Sequence, residues 1–330
     1  MLSPILFAVV GFALVFEFIN GFHDTANSIA TVVYSRTLTP KRAIFLAASM
    51  NFLGALISEQ VAKTFTTGIV SVHLEEYVIV AALIGAIIWD LITWWLGLPS
   101  SSSHALIGGL IGATIIYDWS FQHFLWDGIL KKVVIPLFSS PLIGLFAAFL
   151  LMKLIRSIFA AWPHKKVNGL FSKLQIISAA LVAFSHGTND AQKTMGIITL
   201  ALITANYLPP ESGVPVAIKF ICAATMCAGT SIGGWKIMKT MGHGVTRLDP
   251  VSGFAAETTA AIVIEGMSFI GAPISTTHVI TSSVMGVGTA RRASAVKWVK
   301  ARDIIITWVI TLPFSAFFGG LACFIIKFFV

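Results

Sequence analysis

Long apolar runs separated by short polar connections fill almost the whole chain. A membrane-spanning helix needs about 20 apolar residues, so the pattern predicts an all-α polytopic membrane protein. The runs lie at 4–35, 43–60, 77–97, 103–117, 133–153, 174–206, 215–235, 252–270, 274–289 and 303–329. Those at 103–117 and 274–289 are short for a crossing and are predicted to be re-entrant. Those at 4–35 and 174–206 are too long for one straight crossing, and a broken helix at the membrane midplane is predicted in each.

The composition agrees with this assignment and limits what the chain can do. Hydrophobic residues make up 56% of the 330 residues and charged residues 11%, against about 25% charged residues in soluble domains. The net charge of +8 does not indicate nucleic-acid binding, because the basic residues lie mostly in short connections between apolar runs. The three cysteines show no metal-ligand spacing. The N-terminal stretch 1–20 lacks a basic segment and a clear cleavage site, so it is predicted to be retained.

A motif that places an acidic residue inside an apolar run occurs twice, at 21–27 and 187–193, and aligns Asp24 with Asp190. An ionisable residue at bilayer depth is costly and marks a candidate functional site. Two more pairs of segments match in the same order along the chain. They are the Lys-Thr segments 63–69 and 239–245 and the Ser- and Thr-rich segments 99–104 and 273–278. The offsets of 166, 176 and 174 residues indicate an internal duplication, with one repeat at 1–160 and the other at 161–330.

Equivalent connections in the two halves have opposite charge character. The connection 36–42 holds three basic residues and its counterpart 207–214 holds none. The pairs 118–130 with 291–302 and 71–76 with 236–249 show the same reversal. By the positive-inside rule, equivalent connections therefore lie on opposite sides of the membrane. Sixteen of the 22 basic residues fall in the connections predicted to be cytoplasmic, at 36–42, 153–173, 236–247 and 291–302. About five crossings in each half would place both termini outside the cytoplasm, in the inverted-topology repeat of many secondary transporters.

The Ser- and Thr-rich segments are predicted to bind an anion. In each, a proline can interrupt a helix, and several hydroxyls lie just ahead of the next apolar run. Hydroxyls and free backbone N–H groups at a helix N-terminus form an anion site, which the helix dipole strengthens. The alternative is that these residues only cap their helices. The candidate substrate-binding residues are Thr25, Asn27, Ser101, Ser102, Ser103, Gln192, Lys193, Ser275, Thr276 and Thr277.

The two aspartates are predicted to bind a coupling cation, because a carboxylate next to an oxyanion requires a cation between them or a proton on one partner. Carboxylate and amide oxygens suit hard cations such as Na⁺ or Mg²⁺, and a buried carboxyl can instead take up a proton. Lys193 stands where the first motif has Asn27. A fixed ammonium there could replace one bound cation or neutralise Asp190 or the anion; alternatively, it snorkels to the membrane surface. The candidate cation-coupling residues are Asp24, Asn27, Asn189, Asp190 and Glu257.

With these motifs the sequence resembles the inorganic phosphate transporter (PiT) family, whose signature is a repeated Gly-x-Asn-Asp-x-x-Asn motif. The resemblance spans essentially the whole chain and includes Glu257 in the segment 252–257. It implies secondary uptake of inorganic phosphate, driven by Na⁺ in some members and by H⁺ with metal-phosphate in others, by homodimers with inverted halves. It also implies that Glu257 binds the cation or a proton. Here His23 and the pair Gln192-Lys193 replace signature residues, as in the bacterial branch, which leaves H⁺ and Na⁺ as alternative coupling ions.

Three other functions fit parts of the pattern. Some relatives are thought to carry sulfate, so a sulfate or other oxyanion symporter is one alternative. An intramembrane hydrolase would use Asp24 and Asp190 as a catalytic pair, but it would not need the paired hydroxyl segments or Lys193. An anion channel would give flux without accumulation. We therefore predict a phosphate–cation symporter in the cell (inner) membrane, with no cofactor beyond the coupling cation.

Overall fold

The structure is a computed structural model that describes residues 4–69 and 74–329. Residues 71–73 of the connection 71–76, whose charge entered the prediction of orientation, lie outside the described residues. The described chain is helical and contains no strand. The helices of the N-terminal part are α1 Pro4–His23, α2 Thr25–Tyr34, α3 Pro40–Ala55, α4 Gln60–Thr67, α5 Glu76–Leu96, α6 Ser102–Asp118, α7 Trp126–Gly128 and α8 Ile135–Ile158, with a π-helical segment at Ile129–Val134. The C-terminal part has α9 His164–Thr204, α10 Val216–Ile232, α11 Trp235–Gly244, α12 Pro250–Phe269, α13 Thr276–Arg291 and α14 Trp298–Ile326.

Local sequence signals explain several helix boundaries. Helices α3 and α12 begin at Pro40 and Pro250, because a proline in the first turn has no N–H to leave unpaired. Asp249 caps α12 by accepting a hydrogen bond from the Ser252 N–H at 2.8 Å. Helix α5 ends at Gly97, whose φ of +69° lies in the left-handed region that glycine favours. These signals place the helix ends without reference to the rest of the fold.

Five helical stretches among the described residues are long and apolar enough to cross a membrane, or seven if each of two bent pairs, α3 with α4 and α10 with α11, counts as one span. Helices α6 and α13 have 17 and 16 residues, which is roughly 25 Å of helix against a hydrocarbon core of about 30 Å. Both start at a Ser- or Thr-rich segment. Whether α6 and α13 are re-entrant, and the number of crossings in each half, stay predictions.

Helices from the two halves are interleaved in the core. Helix α1 packs on α10, and α9 packs on α3. In the same way, α14 packs on α5 and α6, while α8 packs on α12 and α13. Each half therefore supplies helices that complete the packing of the other. The boundary between 160 and 161 falls in the connection from α8 to α9, and the inverted relation of the halves stays a prediction.

The structure corrects the expectation of a broken helix at the second aspartate motif. Helix α9 runs without interruption for 41 residues and includes the whole segment 187–193. At the first motif only Asp24 separates α1 from α2, and its N–H still bonds to the Asn20 carbonyl at 2.9 Å. The expected break is therefore a one-residue interruption in the first half and is wrong for the second half.

The motif glycines have a packing role that explains this result. A Cβ at Gly21 would lie 2.5 Å from the Met226 carbonyl oxygen on α10, and one at Gly187 would lie 2.3 Å from the Asn51 carbonyl oxygen on α3. Small residues let membrane helices approach closely. Gly21 and Gly187 therefore mark helix crossings rather than helix breaks.

Candidate functional site

The two aspartate motifs meet inside the molecule. Asp24 lies between α1 and α2, Asp190 lies on α9, and their side chains are 2% and 0% exposed. One oxygen of each carboxylate and one ring nitrogen of His186 lie within 4.8 Å of one another. This arrangement provides the hard oxygen ligands and the nitrogen ligand that could hold a cation.

Helices α6 and α13 start against this pair. Ser101 caps α6 by accepting from the His104 N–H, and Ser275 caps α13 by accepting from the His278 N–H, each at 3.2 Å. Capping, the alternative considered for the Ser- and Thr-rich segments, is therefore the role of Ser101 and of Ser275, which hold matching positions in the two segments. The next two residues of each segment are free to contact the site.

The hydroxyl that follows the capping residue in each segment donates to an aspartate. Ser102 Oγ donates to Asp24 Oδ2 at 2.7 Å, and Thr276 Oγ1 donates to Asp190 Oδ2 at 2.9 Å. Ser102 and Thr276 hold matching positions in the paired sequence segments, as do Asp24 and Asp190 in the paired aspartate motifs. The same contact is thus built once from each half.

The last hydroxyl of each segment bonds to the last residue of the opposite half's aspartate motif. Asn27 Nδ2 donates to Thr277 Oγ1 at 2.8 Å, and at the matching position Lys193 Nζ donates to Ser103 Oγ. Thr277 Oγ1 also lies 3.3 Å from Asp24 Oδ1 and donates to it. These contacts join the halves across the site.

Lys193 is held inside the protein and does not snorkel. Its side chain is 0% exposed and donates to Asp190, to Ser103 and, at 3.1 Å, to the Ile274 carbonyl oxygen. A buried charge requires a partner of opposite charge and further hydrogen bonds. The ammonium is therefore a fixed positive charge beside Asp190.

Each aspartate also has a histidine neighbour that was not assigned to the site from the sequence. His23 Nδ1 lies 2.7 Å from Asp24 Oδ1. His186 Nε2 lies 2.9 Å from Asp190 Oδ2, outside hydrogen-bonding geometry, and its Nδ1 lies 3.1 Å from Asn51 Oδ1. The spacing of four residues between His186 and Asp190 on one helix puts both on the same face, and it is the signal that could have found His186.

Gln192 and Thr25, two predicted substrate-binding residues, bond to neighbouring helices. Gln192 Oε1 accepts from the N–H groups of Val61 and Ala62 at 2.8 and 3.3 Å, in the first turn of α4. Thr25 Oγ1 accepts from Asn51 Nδ2 at 2.9 Å. Their described hydrogen bonds therefore fix helix positions and do not involve the aspartates.

Asn189 and Glu257, two predicted cation-coupling residues, also bond outside the aspartate pair. Asn189 Nδ2 donates to Ser268 Oγ at 2.8 Å, near the end of α12. The Glu257 carboxylate accepts from Gln175 at 3.0 Å and from Ser178 at 2.5 Å. Gln175 lies 15 residues before Asp190 on α9, which is about 22 Å along the helix axis. Glu257 therefore belongs to a separate polar cluster.

Comparisons with known proteins agree on one family. Residues 20–319 match the phosphate transporter family. The chain is 49% identical to a probable low-affinity inorganic phosphate transporter of Bacillus subtilis over 96% of this chain and 95% of that protein. It is 45% identical to a protein of the same description from Rhizobium meliloti, covering 97% and 96% of the two chains.

The fold is also known. A solved structure described as the sodium-dependent phosphate transporter superposes with a TM-score of 0.88 over 99% of this chain and all of that chain, at 24% identity. These matches set aside the alternative of an intramembrane hydrolase. The chain belongs to the phosphate transporter family and is a multi-pass membrane transporter.

Proposed function

We propose that the protein imports inorganic phosphate by symport with a cation, and that both bind where Asp24, Asp190 and Lys193 meet. The names of the relatives support phosphate as the substrate. The name of the structural neighbour supports a coupling cation. Sulfate stays as the second candidate substrate, because hydroxyls and an ammonium group recognise both tetrahedral oxyanions.

The observation that carries the proposal is the charge imbalance at the site. Two buried aspartates, Asp24 and Asp190, face one buried lysine, Lys193. Lys193 is the only buried Lys or Arg in the described part of the chain. An anion entering this low-dielectric site alone would be repelled. It therefore requires a cation or proton to enter with it.

The hydroxyls supply the link between cation and anion. Ser102, Thr276 and Thr277 now donate to the aspartates. A Na⁺ or H⁺ on an aspartate replaces those donors, so the hydroxyls can turn to phosphate oxygens beside Lys193. Because α6 and α13 begin here, their dipoles favour the bound anion. We infer that the cation binds before phosphate.

The proposal is tested by phosphate uptake into proteoliposomes under a Na⁺ gradient or an H⁺ gradient, imposed separately and with or without Mg²⁺. We expect accumulation under one gradient in the wild type and its loss in Asp24→Asn and Asp190→Asn. Asp127→Asn, which changes an exposed carboxylate, is the matched control and should accumulate normally. A requirement for Mg²⁺ would identify metal-phosphate as the transported species.

Two results would overturn the proposal. Accumulation of sulfate but not phosphate would correct the substrate. Phosphate flux that only equilibrates, under either gradient, would exclude symport and indicate an anion channel.

A further inference from the structure

A second polar site lies where four chain segments converge, far from the aspartates. An open cavity of about 890 Å³ is lined by the end of α8, the start of α9, the segment before α12 and the segment after α13. Its floor includes the buried side chains of Ile155, Val167 and Val251. Pockets for small ligands typically enclose about 300–1,000 Å³, so the cavity has the size of a ligand site.

The charged groups around this cavity are almost all positive. One carboxylate, that of Asp249, lines it. The basic residues that line it are Arg156, Arg247, Arg291, Arg292 and Lys297. Like charges held around one concave surface repel each other and focus a positive potential into it.

Only part of this charge is compensated within the protein. Arg291 pairs with Asp249 and donates to the Arg247 carbonyl oxygen at 3.2 Å. Arg156 donates to the Ala290 carbonyl oxygen at 3.4 Å. Arg247 and Arg292 have no ion-pair partner within residues 4–69 and 74–329. The cavity is therefore lined by two arginines that are held by hydrogen bonds within the protein and by two that have no ion-pair partner among the described residues.

We propose that this cavity binds an anion that carries several phosphate groups. Guanidinium groups bind phosphate oxygens in a bidentate manner, and several of them around one cavity match a ligand with several charges. A single phosphate would leave much of the surplus positive charge uncompensated. A soluble polyphosphorylated compound and the headgroup of a phospholipid with two phosphates, such as cardiolipin, share this chemistry.

The cavity lies away from the proposed phosphate site, and the positive-inside rule does not account for its basic residues. Helix α13 starts at Thr276, beside Asp190, and ends at Arg291 in the cavity, about 22 Å along its axis. The positive-inside rule requires basic residues near the cytoplasmic surface but not their convergence on one cavity. Lys41 and Arg42, at the start of α3, also lie in a connection predicted to be cytoplasmic, but they do not line the cavity.

Calorimetric titration with inorganic tripolyphosphate tests the proposal, with the protein in phosphatidylcholine nanodiscs. We expect saturable binding that Arg247→Gln with Arg292→Gln weakens at least about 10-fold, since both substitutions remove charged hydrogen-bond donors to the ligand. Lys41→Gln with Arg42→Gln is the matched control and should change affinity less than about twofold. Asp24→Asn should bind normally, which distinguishes this cavity from the phosphate site.

A second arm separates the two sources of the ligand. If a lipid headgroup is the occupant, cardiolipin, whose headgroup carries two phosphates, should compete with tripolyphosphate when it is present in the nanodiscs. Native mass spectrometry should then show that the Arg247→Gln, Arg292→Gln protein retains less cardiolipin. A soluble occupant predicts no competition. The proposal fails if tripolyphosphate does not bind and lipid retention is unchanged, or if the control variant loses as much binding.

Discussion

The ammonium group of Lys193 donates to the carboxylate of Asp190 one turn earlier on α9, and both side chains are fully buried. The matching position in the first half is Asn27. Asn27 and Lys193 make equivalent hydrogen bonds, to Thr277 and Ser103. The two halves therefore make the same contact at this position but differ there by one positive charge, which makes the site asymmetric.

Replacing Lys193 by Asn should make the site more negative by one charge while keeping a donor to Ser103. We expect the phosphate KM to rise about 10-fold or more, because the lost charged hydrogen bonds contribute about 1.5–3 kcal/mol each. Uptake should also depend more steeply on the coupling cation, since one more cation is needed to neutralise the site. Initial rates measured against phosphate and cation concentration test both effects.

The matched control for this prediction is Lys173→Asn, which changes an exposed residue on the same helix. It should leave both dependences unchanged. An unaltered phosphate KM in Lys193→Asn would show that the ammonium does not contribute to phosphate binding.

Adjacent serines at the start of α6 should separate helix capping from binding. Ser102→Ala removes the 2.7 Å hydrogen bond to Asp24, and we expect weaker phosphate and cation binding with little change in stability. Ser101→Ala removes the helix cap, which should lower stability by about 0.5–2 kcal/mol and leave the KM values unchanged. Thermal unfolding in detergent and uptake kinetics distinguish the two. Equal effects of both substitutions on the phosphate KM would contradict these roles.

Two glycines on α9 should respond in opposite ways to alanine. A Cβ at Gly187 would lie 2.3 Å from the Asn51 carbonyl oxygen, whereas nothing lies within 4 Å of one at Gly169. Gly187→Ala should lower the unfolding temperature, because overpacking a tight contact costs about 1–3 kcal/mol. Gly169→Ala should match or exceed the wild type, since alanine favours a helix by about 0.8–1 kcal/mol over glycine. If Gly187→Ala were as stable as the wild type, this crossing of α3 and α9 would not be closely packed.

The position of Glu257 predicts an effect on turnover and not on phosphate affinity. Its carboxylate bonds to Gln175 and Ser178, about 18–22 Å along α9 from Asp190. Glu257→Gln should therefore reduce the maximal uptake rate at least several-fold while the phosphate KM stays within about twofold. Uptake kinetics test this expectation, with Glu211→Gln, in the exposed connection before α10, as the control. A large rise in the phosphate KM would place Glu257 at the substrate site after all.

The sequence was sufficient to identify the membrane class and the repeated motifs, and it predicted several of the polar residues that the structure brings together around the two aspartates. The alignment of the repeats already paired Asp24 with Asp190 and Asn27 with Lys193. The reason is that an ionisable residue inside a long apolar run is costly at bilayer depth and is kept for a function. Matching motifs at nearly constant offsets then indicate matching positions in two repeats.

Only the tertiary structure decided what each polar group contacts. Ser101 and Ser102 are chemically identical and adjacent, yet one caps α6 and the other donates to Asp24, because successive positions on a helix point in different directions. The sequence likewise did not indicate that Gly187 lies where α9 packs closely on α3 and not at a break in α9. That distinction depends on which helix of the other half packs there, and interleaved packing joins residues far apart in the chain. Periodicity and local motifs carry no information about such contacts.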